Sequence, residues 1–386
     1  MQHLGVFIRH RESLAVGAAF ILLGFLFGNW ATMIPHVKQL YELDDASLGL
    51  LLLCMPLGAM IFNPFAAMLI QRYGMRKITF LSMLFISLAY MIPLSIFYFP
   101  IVPLGLVLSG LGITALNVSM NTCASSIEQH EKINIMSTCH GLFSIGLMSG
   151  SLAGSTSVAS GIFPGWHMAI MGVFGIILAL LVRPVILSLY EAPFVSDSDQ
   201  KFRLILPKGA LLLMILISIC INFTEGTMAD WTTLFMKEVV QSNPYFFGWG
   251  LAGYSLLMAL GRFSGDALIP KFGGNKILIA GAFLTVSGLL ISIFIPETVF
   301  AIIGFAFVGL GVSCGAPILY ASAGRIPDMP KGTGLAIMNT FAMGGFLIGP
   351  VIIGFISNLT NLMVAFGFVA LLAVFWLIFA SRVRLY

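Results

Sequence analysis

The hexapeptide SGLGIT at 109–114 returns as VGLGVS at 308–313, an offset of 199 residues. The same shift carries Lys38 onto Lys237, Lys77 onto Lys276, His140-Gly141 onto Asn339-Thr340, Gly146 onto Gly345 and Gly150 onto Gly349. One offset that serves several separated landmarks marks a chain built as one half repeated, and such a repeat constrains architecture before any local reading. Both copies are almost wholly apolar. The repeated unit is therefore a set of helices whose solvent is lipid.

With 59% hydrophobic and 9% charged residues and a mean hydropathy of +1.02, the 386-residue chain has no soluble fold that could hide its apolar surface. Apolar runs fall near 13–35, 47–70, 78–99, 101–126, 134–160 and 166–188, and again near 209–235, 244–270, 275–296, 298–322, 332–356 and 362–381. Each approaches the ~20 residues that a helix needs to cross the hydrocarbon. None shows the alternating ~10-residue pattern of a membrane barrel. The expected fold is an all-α membrane protein of twelve transmembrane helices in two pseudo-symmetric six-helix halves, 1–190 and 209–386. The polar stretch 191–208 is expected to join them as a cytoplasmic linker.

Of the 19 lysines and arginines, Lys38 and Lys237 fall in loops on one side, Arg262 lies within a segment, and the rest fall in the loops and tails of the other side. The positive-inside rule then predicts a multi-pass chain with both termini in the cytoplasm. Basic residues scattered over short loops give no nucleic-acid surface. The five cysteines lie within apolar segments without metal-ligand spacing, so neither a metal nor a cofactor is expected. MQHLGVFIRHRES leads straight into a full-length span, unlike a signal peptide.

Acids inside lipid are costly and mark function. Three lie within the segments: Glu225 and Asp230 in segment 7 and Asp266 in segment 8. Withdrawal from water favours the neutral form of a carboxylic acid, the property a proton carrier needs, and Glu225 is the deepest of the three. Asp230 and His140, in the early part of segment 5, are the other proton-coupling candidates. Arg262 and Asp266, at i and i+4, are placed at the cytoplasmic end of segment 8 as an ion pair that latches helices rather than a substrate site. Asn117 and Asn121 share one face of segment 4, and unsatisfied amides must turn toward the bundle. Asn29-Trp30 and Asp230-Trp231 end segments 1 and 7, where an indole serves as an interface anchor or as a platform for a sugar-like ligand. Asn29, Trp30, Asn117, Asn121, His140, Glu225, Trp231 and Asn339 make up the expected substrate-binding set, with Asp230 bordering it.

These features resemble the major facilitator superfamily over essentially the whole chain. QRYGMRK at 71–77 is similar to that family's loop between helices 2 and 3, with Arg72, Gly74, Arg76 and Lys77 matching, but Gln71 stands where an aspartate is usual. GDALIPKFGGNK keeps Gly265, Asp266, Lys271 and Gly273, so the resemblance implies that the stronger helix-locking network lies in the second half. Arg72, Gly74, Arg76, Arg262, Asp266 and Lys271 are its expected members. FGNWATMIPHVK, NVSMNTCASSIEQ, STCHGLFSIG, TEGTMADW and SAGR further resemble a bacterial subgroup near the fucose–proton symporters. Members of that subgroup often carry an acid where this chain has Asn117, which moves any proton role to Glu225. The Gly-x-x-x-Gly-Pro pattern of drug antiporters is missing from segment 5 and occurs in segment 11 as Gly345, Gly349 and Pro350, which favours uptake by symport.

Duplicated helical bundles bind solute between their halves at mid-membrane and work by rocking one half against the other. The expected function is proton-coupled uptake of a small polar solute, a sugar or sugar derivative, by a monomer in the lipid bilayer, with sodium as the alternative coupling ion. An exporter of amphipathic compounds is the rival within transport. A membrane-embedded sensor or enzyme is the rival outside it, but His36, His167, Asp44 and Asp45 have no catalytic spacing and no phosphate loop is present.

Overall fold

Long apolar runs with no side-chain alternation give helices, because in lipid only a helix or a closed barrel satisfies every backbone N–H and C=O internally. The computed structural model, which describes residues 2–95, 98–191, 207–326, 329 and 333–386, contains helices and no strand among them. A short α1 (Gln2–Arg9) precedes the spans α2 (Arg11–Leu40), α3 (Asp45–Leu52) with α4 (Cys54–Tyr73), α5 (Met75–Ala89), α6 (Ile101–Glu131), α7 (Met136–Ala159) and α8 (Pro164–Ser188). The second series is α9 (Gly209–Glu238), α10 (Trp249–Phe272), α11 (Gly274–Phe294), α12 (Thr298–Val312) with α13 (Gly315–Ala323), α14 (Thr333–Leu359) and α15 (Leu362–Arg382). Eleven stretches of the described residues are long and apolar enough to cross a membrane. The 24-residue α10, which carries Arg262, Asp266 and Lys271, is the remaining member of the expected set. Residues 192–206 of the expected linker lie outside the described residues.

The 199-residue offset is written into the backbone. Gly74 ends α4 at φ 87°, ψ 147°, and Gly273 ends α10 at φ 83°, ψ 147°. That left-handed region is open to glycine without the steric cost other residues bear. Glu42 (φ 50°) and Gln241 (φ 52°), also 199 apart, turn the chain after α2 and after α9. At the next turn Asp44 caps α3 by accepting from the Ser47 N–H at 2.7 Å. The Ser47 hydroxyl, and then that N–H, hold the Asp44 carboxyl below its ordinary range. This cap is fully formed above the ordinary carboxylate value and is lost only as pH falls through the lowered one.

Packing repeats as well. Lipid tails are as apolar as leucine, so helices associate through close contact, which small residues allow. Gly110 of α6 lies against the Met55 carbonyl of α4, and 199 residues on Gly309 of α12 lies against the Tyr254 carbonyl of α10. Gly146 and Gly150 of α7 approach the Ile21 and Phe25 carbonyls of α2, while Gly345 of α14 approaches the Ile219 carbonyl of α9. Buried hydroxyls are mostly satisfied within their own helix, as Ser87, Ser109, Ser255 and Thr285 are by the carbonyl four residues back. They add no demand for a partner.

The first and second series of spans meet unevenly. At the end holding Lys38, α14 packs closely on α3, α2 meets α9, and the Ser155 hydroxyl of α7 donates to the Tyr245 carbonyl at 2.6 Å. Toward the end holding Arg72, α14 barely touches α4, and the extensive contact left between the two series is α7 on α10. The bundle is closed at the Lys38 end and parted at the Arg72 end.

A Cβ at position 110 or 309 would run into a backbone carbonyl, whereas Gly367 has nothing within 4 Å. Gly110→Ala and Gly309→Ala are each expected to lower stability by about 1–3 kcal/mol. Gly367→Ala should hold or slightly raise it, since alanine is the better helix former. Thermal unfolding in detergent checks all three.

Candidate functional site

Glu225 lies close to the middle of α9, Arg262 close to the middle of α10 and Asn117 at the middle of α6. The depth of Arg262 corrects the expectation that it sits at the cytoplasmic end of its segment. The segment expected near 244–270 is a helix from Trp249 to Phe272, which puts Arg262 near its centre rather than at its end.

Glu225 is surrounded by protein yet keeps some accessible surface, as a group facing an internal space does. Among the described residues its carboxylate makes no hydrogen bond and no ion pair. Arg262, Tyr254 and Tyr320 lie within electrostatic range of it. The Arg262 guanidinium turns across to α7, where Nη1 donates to the His140 carbonyl at 3.2 Å and to the Ser144 hydroxyl at 2.9 Å. The Arg262 carbonyl in turn accepts from the Ser137 hydroxyl at 2.9 Å. No carboxylate among the described residues is within ion-pair distance of Arg262, and the side chain of Asp266 is outside them. One acid and one base thus stand at mid-bundle with neutral neighbours. This is a costly arrangement, and one that solute and proton pathways in membranes share.

Polar amides border this space on both sides. Asn117 is exposed toward the parted end and accepts from the Asn121 amide at 2.8 Å. Asn339 is exposed as well and accepts from the Tyr320 hydroxyl at 3.2 Å. The His140 ring packs edge-on against Phe20, with centroids 5.3 Å apart. The Tyr254 hydroxyl is buried without a partner.

Asn29, Trp30 and Trp231 are placed differently. Asn29 is fully buried, donates to the Phe25 carbonyl at 2.8 Å and meets His167 Nε2 at 2.7 Å, bonds internal to the first six spans. Trp30 and Trp231 are 1% and 0% exposed, so neither indole offers a face to the open space in this state. The Trp231 Nε1–H has no partner. Asp230 lies one turn and a half beyond Glu225 toward the closed end, within electrostatic range of Tyr90, and makes no hydrogen bond among the described residues.

The loop after α4 is a fixed joint. Arg76 Nε donates to Glu191 Oε2 at 2.8 Å, and its Nη1 donates to the Leu187 and Leu189 carbonyls at 3.1 Å, tying the start of α5 to the end of α8. Gly74 abuts the same Glu191 carboxylate. Arg72 and Lys271 instead lie over the rings of Tyr73 and Phe272, each 5.3 Å from the centroid. The equivalent of Arg76 in the repeat is Asn275, whose amide donates to the Ala380 and Val383 carbonyls at 3.3 and 2.8 Å. Among the described residues an ionic joint is present in the first half and its counterpart at Asn275 is neutral; the expected second-half network turns on the side chain of Asp266, which lies outside the described residues. Glu191 supplies the acid that Gln71 lacks.

Two apolar-rich helical series, a space open at one end and unpaired charged groups at mid-bundle define a solute transporter. Residues 16–241 and 213–385 each match the family profile of the Major Facilitator Superfamily. An uncharacterized MFS-type transporter of Yersinia pestis is 32% identical over 94% of this chain and 93% of its own length. The chain belongs to the Major Facilitator Superfamily. A mutant of the nucleoside transporter NupG superposes with a TM-score of 0.74 at 11% identity, over 97% of this chain and 100% of that one. A mutant of the E. coli fucose:proton symporter FucP superposes at 0.65 and 16% identity, over 97% and 98%.

Replacing Glu191 with alanine removes the acceptor shared by Arg76 and the Met75 N–H and is expected to lower stability by about 1–3 kcal/mol. Lys271→Ala, which loses only the contact with Phe272, should stay within about 0.5 kcal/mol of the parent. Thermal unfolding of the purified variants measures the difference.

Proposed function

We propose that this protein is a secondary active transporter of the bacterial inner membrane that imports a small polar solute, a sugar or sugar derivative, together with protons. The observation that carries this reading is Glu225, a mid-bundle carboxylate with no hydrogen-bond or ion-pair partner among the described residues, near the Arg262 guanidinium, which is bonded to the His140 carbonyl and the Ser144 hydroxyl. A symporter needs a group whose protonation differs between loaded and empty states. A carboxyl with no bonded partner among the described residues, re-exposed by rocking of the halves, meets that need. Asn117, Asn121, Asn339 and Tyr320 supply hydroxyl-recognising amides and a phenol around the same space. The resemblance in fold to a fucose:proton symporter agrees with it.

The basic residues turn the parted end toward the cytoplasm, so the state described is inward-open, with 1–190 and 209–386 as the halves that rock and 191–208 as the tether. A protein that only binds and carries solute has no use for a catalytic pair, and the reading is of a monomeric carrier rather than an enzyme.

Glu225→Gln keeps the shape of the protonated side chain and removes the titration. The variant should retain solute binding and solute exchange across the membrane but lose accumulation driven by a pH gradient in proteoliposomes. Undiminished uphill accumulation by the variant would remove Glu225 from the coupling role and pass it to Asp230 or His140.

A further inference from the structure

The closed end is held by charged groups that the transport reading does not use. Lys38 Nζ lies 2.6 Å from Asp45 Oδ1 and 2.7 Å from Glu238 Oε1. Lys237 Nζ donates to Gln39 Oε1 at 3.2 Å. The Ser357 hydroxyl of α14 donates to Asp45 Oδ2. Lys38 and Gln39 end α2, Asp45 begins α3, and Lys237 and Glu238 end α9.

The repeat offset turns these bonds into a pattern. It carries Lys38 onto Lys237 and Gln39 onto Glu238. The Lys38–Glu238 and Lys237–Gln39 contacts are therefore one contact made twice, each lysine reaching across to the other half's next residue, as in a two-fold interface between identical subunits. One arm is an ion pair. The other is a lysine on a neutral amide, because Gln39 stands where the symmetry would place an acid. Asp45 holds Lys38 from within the first half and is fixed by Ser357 from the second, and its symmetry position is Pro244, so this buttress exists on one side alone.

We propose that these residues form a pseudo-symmetric clasp that exists only while this end is shut, and that Gln39 sets how firmly it shuts. Both arms bridge α2 and α9, so rocking the halves apart breaks both. The Lys38–Asp45 pair lies within one half and survives opening. An interaction present in one state and absent in the other shifts the balance between them by its full differential free energy. A glutamate at position 39 would give a second ion pair and bias the carrier toward the state described here. The neutral amide leaves the clasp able to open.

The test uses the full-length protein in nanodiscs, with spin labels on the exposed turn positions Glu42 and Gln241, and reads the distribution of distances between them without any solute. Gln39→Glu should raise the ratio of the short-distance to the long-distance population about two- to fivefold, the range of a partly exposed ion pair. Glu238→Gln should lower it by a similar factor. Lys237→Ala added to Gln39→Glu should cancel the gain, since the new acid then has no partner on that arm. Gln39→Glu is close to isosteric, and unchanged thermal unfolding confirms that each variant is folded. A two-state distribution that ignores Gln39→Glu, or a gain that persists without Lys237, overturns the clasp and leaves alternating access standing. A single short distance in every variant would overturn the opening of this end and the clasp with it.

Discussion

Close approach of helix backbones is the condition on which everything else in this molecule rests. Water drives soluble helices together by expelling their apolar faces, but in lipid that force is absent and packing must come from contact itself. Glycines facing carbonyls supply the contact between α4 and α6, between α10 and α12 and between α2 and α7. Large apolar side chains such as Phe283, Phe294, Leu181 and Leu359 are left on the outside, which for a lipid-solvated protein is their proper place. Glycines also close the boundary between the halves at the Lys38 end, where Gly49 meets the Pro350 carbonyl and Gly354 the Asp45 carbonyl, whereas toward the Arg72 end α14 barely touches α4. That contrast between the two ends is what a rocking motion of the halves requires.

Polar groups in such a bundle divide into those satisfied at home and those left over. Most buried serines and threonines bond to a carbonyl one turn back in their own helix, while Ser137, Ser155 and Ser357 reach across to the other half. Asn29 and His167 satisfy each other. What remains at mid-bundle is small: Glu225, Arg262, the phenol of Tyr254, and the amides and phenol at Asn117, Asn121, Asn339 and Tyr320. An unpaired charge in a low-dielectric interior costs several kcal/mol unless relaxation or a ligand compensates it. The fold carries that cost at mid-bundle and again at Asp230, a turn and a half nearer the closed end.

The repeat was legible because it is a property of spacing, and spacing survives changes of side chain. It aligned Gly110 with Gly309 and Gly146 with Gly345 without any knowledge of the contacts they make. Depth was harder to read. The cluster of Arg262, Asp266, Pro270 and Lys271 reads as the polar end of its segment, although Arg262 lies near the middle of α10. Glu191 escaped notice because it adjoins the linker stretch, and only the folded chain brings it back to Gly74 and Arg76. Tyr254 and Tyr320 stood in apolar runs, where a phenol reads as packing. The available signal was that a buried tyrosine hydroxyl normally has a partner to find. Asn29 and Trp30 show the converse error, since a polar–aromatic pair near a helix end reads as a ligand platform but here closes a contact inside one half.

The repeat provides geometry, and departures from the repeat provide chemistry. Glu225 corresponds to Leu26, Arg262 to Asn63, Tyr254 to Met55, Tyr320 to Asn121 and His140 to Asn339, all by the same shift. Arg76 and Asn275 perform one joint with and without a charge. Identical halves would place identical groups on both sides of the axis, so a lone acid would always face a second acid and a lone base a second base. Two like charges at mid-membrane repel each other and cannot both stay ionised, whereas an acid and a base on adjacent helices of one half attract. Glu225 and Arg262 are confined to the second half, and their counterparts in the first, Leu26 and Asn63, are neutral. A duplicated fold can make the two surfaces that face each other across its axis differ only by breaking its own symmetry at such residues.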